Sequence, residues 1–453
     1  LRPVMDGSQV VSFYDPEATV PLVTKQQYHS DAYDATQYGI TPSPDAPFFS
    51  SWQELSARVP RPAILQQGRQ ENSEWISYGY DYKDGYGCMA GIYIEDAIYS
   101  DSNGHAKHLL ETTFSGWCEF TYDCAMCLRC ARISFCERCE DSTDLFFCLG
   151  LRNCNDCFGC TNLKGKKFCF LNEQLTEEEY RKRLAEIDLS DARVLAEWRT
   201  KIASLWAKEF KRAAFIRQSE DVLGDDIEET RDAYGVSIRS AERMYGVYGC
   251  LEAHDIMRGF YMVESERAYA SADSINCSQT TCSLLLDHCI NVEYSELLRN
   301  CENCFGCIGL KYKKFCIFNV QYTEEEYWPR VDAIKTAMLE RGEYGEFFPY
   351  SSSPFAFNAS HSGMMFPLSK DEVQRLGARW YEAPTAAVDA EDVSAIPERL
   401  ADTTDDIVKR RFRCPETGRA FFYVPREIAR HRELGIALPR VHPIVGRLRR
   451  TAQ

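Results

Sequence analysis

Between Cys118 and Cys169 the chain carries cysteines at 118, 124, 127, 130, 136, 139, 148, 154, 157, 160 and 169, and every gap is a multiple of three. That phase is neither the 3.6-residue period of a helix nor the alternation of a half-buried strand. Cys118, Cys136 and Cys154 recur every 18 residues, as do the pairs Cys130/Cys148 and Cys139/Cys157, and Ile133, Leu145, Leu151 and Leu163 fill other in-phase slots. Recurring small and apolar positions predict a solenoid with about 18–20 residues per coil, each coil stacked on the last at strand spacing. Cysteine suits such a narrow interior, because it behaves as a small hydrophobe with a weak donor.

A duplication reinforces the repeat. Residues 151–187 and 298–334 match at 23 of 37 positions at an offset of 147. Each copy ends in a capping box, Thr176 with Glu179 and Thr323 with Glu326, which satisfies free amides at a helix start. The first helix is expected to run through the 181–217 region, with Leu184, Ile187, Leu195, Trp198, Ile202 and Trp206 as its apolar stripe. Glu220 to Asp232 reads as a solvated acidic linker, since it lacks the alternating acidic order of a calcium loop. Ser369, Glu372 and Gly377 bracket a further short helix.

The 21 cysteines in 453 residues bear on compartment as well as fold. Disulfide frameworks belong mostly to small secreted domains, so free or metal-bound thiols in a reducing cytoplasm are expected. No run approaches the about 18 unbroken apolar residues of a membrane span, and no secretory signal is visible. Net charge is −16, yet Lys409 to Arg450 holds twelve basic residues against three acidic ones, a local +9 that leaves −25 on the remainder. Lys409, Arg410, Arg411, Arg413, Arg447, Arg449 and Arg450 are therefore candidate contacts for RNA, DNA or a ribonucleoprotein. The alternative is that the basic tail contacts the acidic body of its own chain.

Two readings of the thiols compete. Cys136-x2-Cys139 and Cys154-x2-Cys157, 14 residues apart, are close to a four-cysteine zinc pattern. The Cys-x2-Cys-x2-Cys runs at 124–130, 154–160 and 301–307 suggest iron–sulfur ligation but lack the Cys-Pro of the bacterial ferredoxin run. Against both, the second copy places Ser283 and Leu286 eighteen residues before Cys301 and Cys304, and leucine cannot be a ligand. Core filling is the preferred reading, with no cofactor and with zinc as the alternative.

Enzyme signatures fail. Gly85-x-Gly87 with Ala90 and Gly91 lacks the strand and helix of a dinucleotide loop, and no phosphate loop, serine elbow or His-Glu-x-x-His is present. His105 with His108, and His288 beside Cys289, are isolated pairs. Tyr78, Tyr80, Tyr82 and Tyr86 read as packing or capping residues that also suit base stacking.

Taken together, the NCFGC…KKFC…TEEEY segments, GEYGEFFPYSSSPFAFN (342–358), FPLSKDEVQRLGARW (366–380) and the tail from Cys414 to Pro443 resemble a bacterial family. Its members combine two cysteine-rich repeat blocks with terminal zinc-ribbon-like modules. VVSFYDPEA (10–18) and PFFSSWQEL (47–55) resemble the part after the family's first ribbon, which implies a truncated start before Leu1. The resemblance implies architecture and no activity. Where a ribbon needs paired knuckles, Cys414 is followed at +3 by Thr417 and His442 by Val445, so the tail is expected to keep the shape without the ion. Phe421, Phe422, Tyr423, Ile428 and Leu434 to Leu438 would scaffold it. Ala241, Met244 and Leu251 stand where the family tends to show cysteine, which again favours packing.

The expected fold is mainly β with α: two short Cys-lined β-solenoid-like blocks, each followed by helix, plus a small basic zinc-ribbon-like tail. The expected segments are 1–85 (N-terminal), 86–175 (first block), 176–219 (helical), 220–322 (second block), 323–382 (helix and irregular), 383–408 (acidic linker) and 409–453 (tail). The expected function is a non-catalytic scaffold or binding protein, with a zinc or iron–sulfur metalloprotein as the alternative.

Overall fold

The structure, a computed structural model, describes residues 2–43, 45–65, 119–211, 282–360, 366–382 and 389–451, with shorter stretches between them. Helices alternate with several multi-stranded sheets, and none of the described sheets closes into a barrel. The chain forms two compact units, and each holds one copy of the duplication. Residues 65–211, 364–366 and 382–453 form the first-copy unit; 1–64, 212–363 and 367–381 form the second-copy unit.

In the first-copy unit, strands Glu119–Tyr122, Ala131–Ser134, Thr143–Phe146, Asn155–Phe158 and Lys167–Phe170 stack in parallel and in sequence order. Ile133 lies beside Leu145, Leu145 beside Cys157 and Cys157 beside Cys169, so each coil is twelve residues long. Two further sides carry parallel bridges at the same offset, Ala125–Glu137–Leu149–Thr161 and Leu128–Glu140–Arg152–Lys164. The expected 18–20-residue coil is therefore wrong. The phase of three is right, but an 18-residue row is one and a half coils.

The phase of three has a backbone cause. From Phe120 to Leu171 every third residue is left-handed, with φ between +49° and +67°. Each such corner turns the chain after a three-residue side. An L residue there costs on the order of 1–2 kcal/mol, which glycine, asparagine and aspartate reduce. Asp141, Asp144, Asn153, Asp156 and Asn162 stand at corners, as do Gly150, Gly159 and Gly165. At Gly159 a Cβ would also meet Leu171 at 2.6 Å.

The last coil ends in an antiparallel return strand, Glu173–Gln174, which covers the exposed edge. Thr176 and Glu179 then close the expected capping box on the helix Glu177–Ala185. The helical stripe is split in two. Asp191 caps a second helix, Ala192–Trp206, by accepting from the Arg193 amide, so its side chain competes with continuation of the first helix. The stripe still packs as one face, with Leu195 and Ile202 buried and Trp198 against Phe158 at 4.8 Å.

Residues 389–408, which belong to the expected acidic linker 383–408, are folded into a core. Ile396, Leu400 and Ile407 join Phe412, Phe421, Tyr423, Ile428 and Leu438 in one core. Strands Glu391–Asp392, Phe412–Arg413 and Ala420–Phe421 form a small sheet beside helices Pro425–Leu434 and Pro443–Thr451. Phe422, expected inside, is 49% exposed.

The second-copy unit repeats the design. Strands Ile290–Glu293, Glu302–Phe305 and Lys314–Ile317 stack at a twelve-residue offset and end in the return strand Val320–Gln321. A capping box on Thr323 starts the helix Glu324–Glu340, and Ser369 caps Lys370–Arg375 in the same way. Much of the expected acidic linker is sheet. Ile216–Arg217, Leu223–Glu228, Arg231–Arg239 and Glu242–Cys250 pair in parallel, at an eleven-residue offset that becomes twelve after Tyr234. The N-terminal residues belong here, with Phe48 of the helix Phe48–Arg58 packed on Tyr294, Phe305 and Phe318.

Candidate functional site: thiol columns and the basic C-terminal segment

Twelve-residue coils place inward side chains in columns. Cys124, Cys136, Cys148 and Cys160 form one column, closed by Asn172. Thr121, Ile133, Leu145, Cys157 and Cys169 form a second, Cys127, Cys139, Leu151 and Leu163 a third, and Cys130, Ser142 and Cys154 a fourth, beyond which the in-phase Lys166 is exposed. All sixteen described cysteines of the two blocks are free and no more than 2% exposed.

Each sulfur in the first column has the same work. Cys124 donates to the carbonyls of Tyr122 and Ile133, at 3.3 and 3.6 Å, and Cys136 to those of Ser134 and Leu145 at the same distances. Cys148 donates to Phe146 and Cys157, and Cys160 to Phe158 and Cys169. The sulfur also accepts, since the Asn172 amide donates to Cys160 Sγ at 3.4 Å. The carbonyls two residues behind already accept a coil-to-coil amide, Phe135 N–H on Tyr122 and Phe147 N–H on Ser134, so the thiol adds a second, weak bond there, while the inward Asn172 amide finds its acceptor in the sulfur.

The duplication supplies the control. Ser283, Ser295, Cys307 and Asn319 stand 147 residues after Cys136, Cys148, Cys160 and Asn172. Ser295 donates to the Glu293 carbonyl at 2.9 Å and accepts from the Cys307 amide at 2.9 Å. In the first copy, Ser142 donates to Glu140 O at 2.7 Å and accepts from the Cys154 amide at 3.0 Å. A hydroxyl does the same work in the same place.

Contacting thiols share protons. The S–H groups of Cys289 and Cys304 draw Cys301 down, against the cost of burial. Cys304 is pushed up by its bonds to Cys301, Cys307 and Cys316, with burial adding to the shift. Cys127 is pushed up in the same manner by Cys124 and Cys139.

The structure does not stack the alternative zinc quartet as two superposed pairs. Cys136, Cys139, Cys154 and Cys157 fall in four different columns, and their counterparts in the second copy are Ser283, Leu286, Cys301 and Cys304. Twelve residues before Cys301 and Cys304 stand Cys289 and Val292. Among the described residues no group of three or more His, Cys, Asp or Glu side chains is arranged to hold a metal ion. His288 bonds Asp287 at 2.5 Å, while the Cys289 thiol turns to the Asp287 carbonyl. Cys88, Cys118, His105, His108, Tyr78, Tyr80, Tyr86, Ala241 and Leu251 lie outside the described residues, as do the side chains of Tyr82 and Met244.

Cys414 is buried, which raises its thiol. Amides of His442, Thr417 and Glu416 and the Thr417 hydroxyl outweigh burial and draw it down.

Many of the candidate nucleic-acid contacts are already paired within the first-copy unit. Lys409 bonds Asp406 at 2.6 Å, and Arg410 grips Glu391 with two bonds, at 2.9 and 2.6 Å. Arg449 pairs with Glu416. Arg450, 3% exposed at its side chain, reaches Asp123 at 2.6 Å. Arg413 donates to the Gly418 carbonyl, Arg411 is exposed and Arg447 is half-buried.

Sequence reasoning missed three devices. Asn172 and Asn319, both at φ +65°, close the columns by bonding main-chain groups of the preceding coil. Asp123 joins Arg199 to Arg450, and these two guanidiniums outweigh burial to hold its carboxyl below the usual range. Arg61 and Glu296 form a buried pair at 2.7 Å. The asparagines had a signal, since each follows an in-phase cysteine by twelve; the ion pairs join residues too distant in sequence to have one.

Comparison with protein-family models, curated proteins and solved structures finds no match to this chain. Among the described residues no helix is long and apolar enough to cross a membrane.

Proposed function

We propose that the protein is a non-catalytic scaffold of the reducing cytoplasm, built on two β-solenoid-like blocks whose cysteines fill the interior and pair its main chain. The observation that carries this reading is the exchange of Cys148 for Ser295 with the hydrogen-bonding role kept. A ligand position does not accept serine in one copy and leucine beside it; a packing position does. The free state of every described cysteine supports a reducing compartment. The C-terminal segment is read as a ribbon-like fold without its ion, held by its core and by its own carboxylates.

Elemental analysis of the reduced protein tests this reading. No stoichiometric zinc or iron is expected, and Cys136→Ser is expected to leave metal content unchanged. About one zinc per chain, lost on Cys136→Ser or Cys154→Ser, would establish the metalloprotein alternative instead. For the tail, the pairing of Lys409, Arg410, Arg449 and Arg450 favours contact with its own unit over RNA, DNA or a ribonucleoprotein. A gel shift at low salt is expected to show no complex; a complex lost on Arg411→Ala with Arg413→Ala would reverse that reading.

A further inference from the structure

The last coil of each copy carries the same basic run, Lys164-Gly165-Lys166-Lys167 in the first and Lys311-Tyr312-Lys313-Lys314 in the second. In the second-copy unit each of these lysines meets an oxygen. Lys311 donates to the Tyr28 carbonyl and lies 4.1 Å from the centre of the Tyr28 ring. Lys313 reaches Asp34 at 3.5 Å, and Lys314 reaches Glu302 at 2.5 Å.

The first copy keeps the lysines and lacks the partners. Lys164 stands one coil beyond Arg152, whose charge Glu140 takes at 2.8 Å. Lys167 lies beside Asn155, the counterpart of Glu302, and Asn155 bonds Thr143 instead. Lys164, Lys166 and Lys167 are all exposed, and among the described residues none of them is in an ion pair. A Cβ added at Gly165, in their midst, would meet nothing within 4 Å, so the surface is open.

Two replacements exclude a second segment like the one that covers the other copy. Gly309, where a Cβ would stand 2.8 Å from the Tyr33 hydroxyl, is Asn162 in the first copy, and Glu296, which holds Arg61, is Leu149. What remains in common is the ammonium groups, and the second copy shows them held by carboxylates and a main-chain carbonyl, the groups of a protein segment. With 31 basic and 35 acidic side chains, the first-copy unit is close to neutral and repels such a segment little.

We propose that Lys164, Lys166 and Lys167 dock an acidic segment of a partner protein, whose carboxylates take the places that Asp34 and Glu302 fill in the second copy. The inference does not depend on the thiols, and its test reads lysine–carboxylate contact rather than a metal.

The test mixes the full chain with hexaglutamate at about 20 mM salt, where exposed charges are weakly screened. A water-soluble carbodiimide then couples touching amines and carboxylates, and mass spectrometry maps the products. Coupling is expected at Lys164, Lys166 and Lys167, and about fivefold less at Lys313 and Lys314, whose own carboxylates compete. Lys164→Gln, Lys166→Gln and Lys167→Gln together are expected to weaken saturable binding about tenfold with thermal midpoint unchanged. Asn155→Glu, which gives Lys167 the partner that Glu302 gives Lys314, is expected to weaken it about threefold with every lysine in place. Absence of saturable binding up to about 5 mM, coupling spread evenly over both copies, or binding unaltered in the triple variant would overturn the inference. Hexathymidylate bound about tenfold tighter than hexaglutamate would assign the surface to nucleic acid instead.

Discussion

Cys148 and Ser295 hold the same place in the two copies of the duplication, and each donates to the carbonyl two residues behind it, at 3.3 and 2.9 Å. The first column thus takes a small side chain able both to give and to receive a hydrogen bond, whereas Ile133, Leu145, Leu151 and Leu163 in the second and third columns supply apolar bulk alone. Cysteine meets that need with less desolvation cost than serine, which explains its abundance in the first copy.

Site-mapped alkylation of the native protein is expected to leave Cys124, Cys136, Cys148 and Cys160 unmodified until the coils open. Their modification rates should follow unfolding as denaturant is added, because these thiols are buried and committed to carbonyls. Reaction at the rate of a free thiol in native buffer would contradict their placement.

Asn319 is fully buried, and its side chain bonds the Ile308 amide and carbonyl at 2.8 Å and the Ala35 carbonyl at 3.0 Å. Its counterpart Asn172 is exposed. Asn319→Ala is expected to cost about 2–4 kcal/mol in denaturant unfolding, and Asn172→Ala distinctly less. Equal costs would show that burial of the closing side chain adds nothing to the closure.

How much of this was legible follows from the corners. The three-residue phase was visible because inward slots are filled by cysteine, leucine, isoleucine and serine. The coil length was not, since 12 and 18 share that phase and the spacing of Cys118, Cys136 and Cys154 suggested the wrong one. Cys124, Cys136, Cys148 and Cys160, each twelve apart, carried the right one. Asn153, Asp156, Gly159, Asn162 and Gly165 mark left-handed corners and were equally readable. What could not be read is which terminal segment covers which block, because Phe48 on Tyr294 and Arg450 on Asp123 join residues hundreds of positions apart.

His431 gives the first-copy unit a pH dependence. It is fully buried, its Nδ1–H donates to the Ile436 carbonyl at 3.0 Å, and Nε2 has no partner. Burial, with Arg199 adding, draws the imidazole from 6.5 down to about 4. Between those values the unfolded chain binds a proton that the folded chain refuses. Stability is therefore complete above 6.5 and falls as pH drops toward 4, by about 3 kcal/mol. His431→Phe should remove most of that slope, leaving the part from His442, which burial lowers in the same direction. Asp123, whose carboxyl is depressed, acts only below this window. An unchanged slope in the variant would place the titrating group elsewhere.

The central claim is tested most directly by denaturant midpoints of Cys148→Ser and Cys148→Val, measured with a chelator present. If the thiol serves the main chain, serine should stay within about 1 kcal/mol of the native protein, while valine, matched in bulk but without a donor, should lose about 1–3 kcal/mol. Valine as stable as serine, or more so, would contradict the claim.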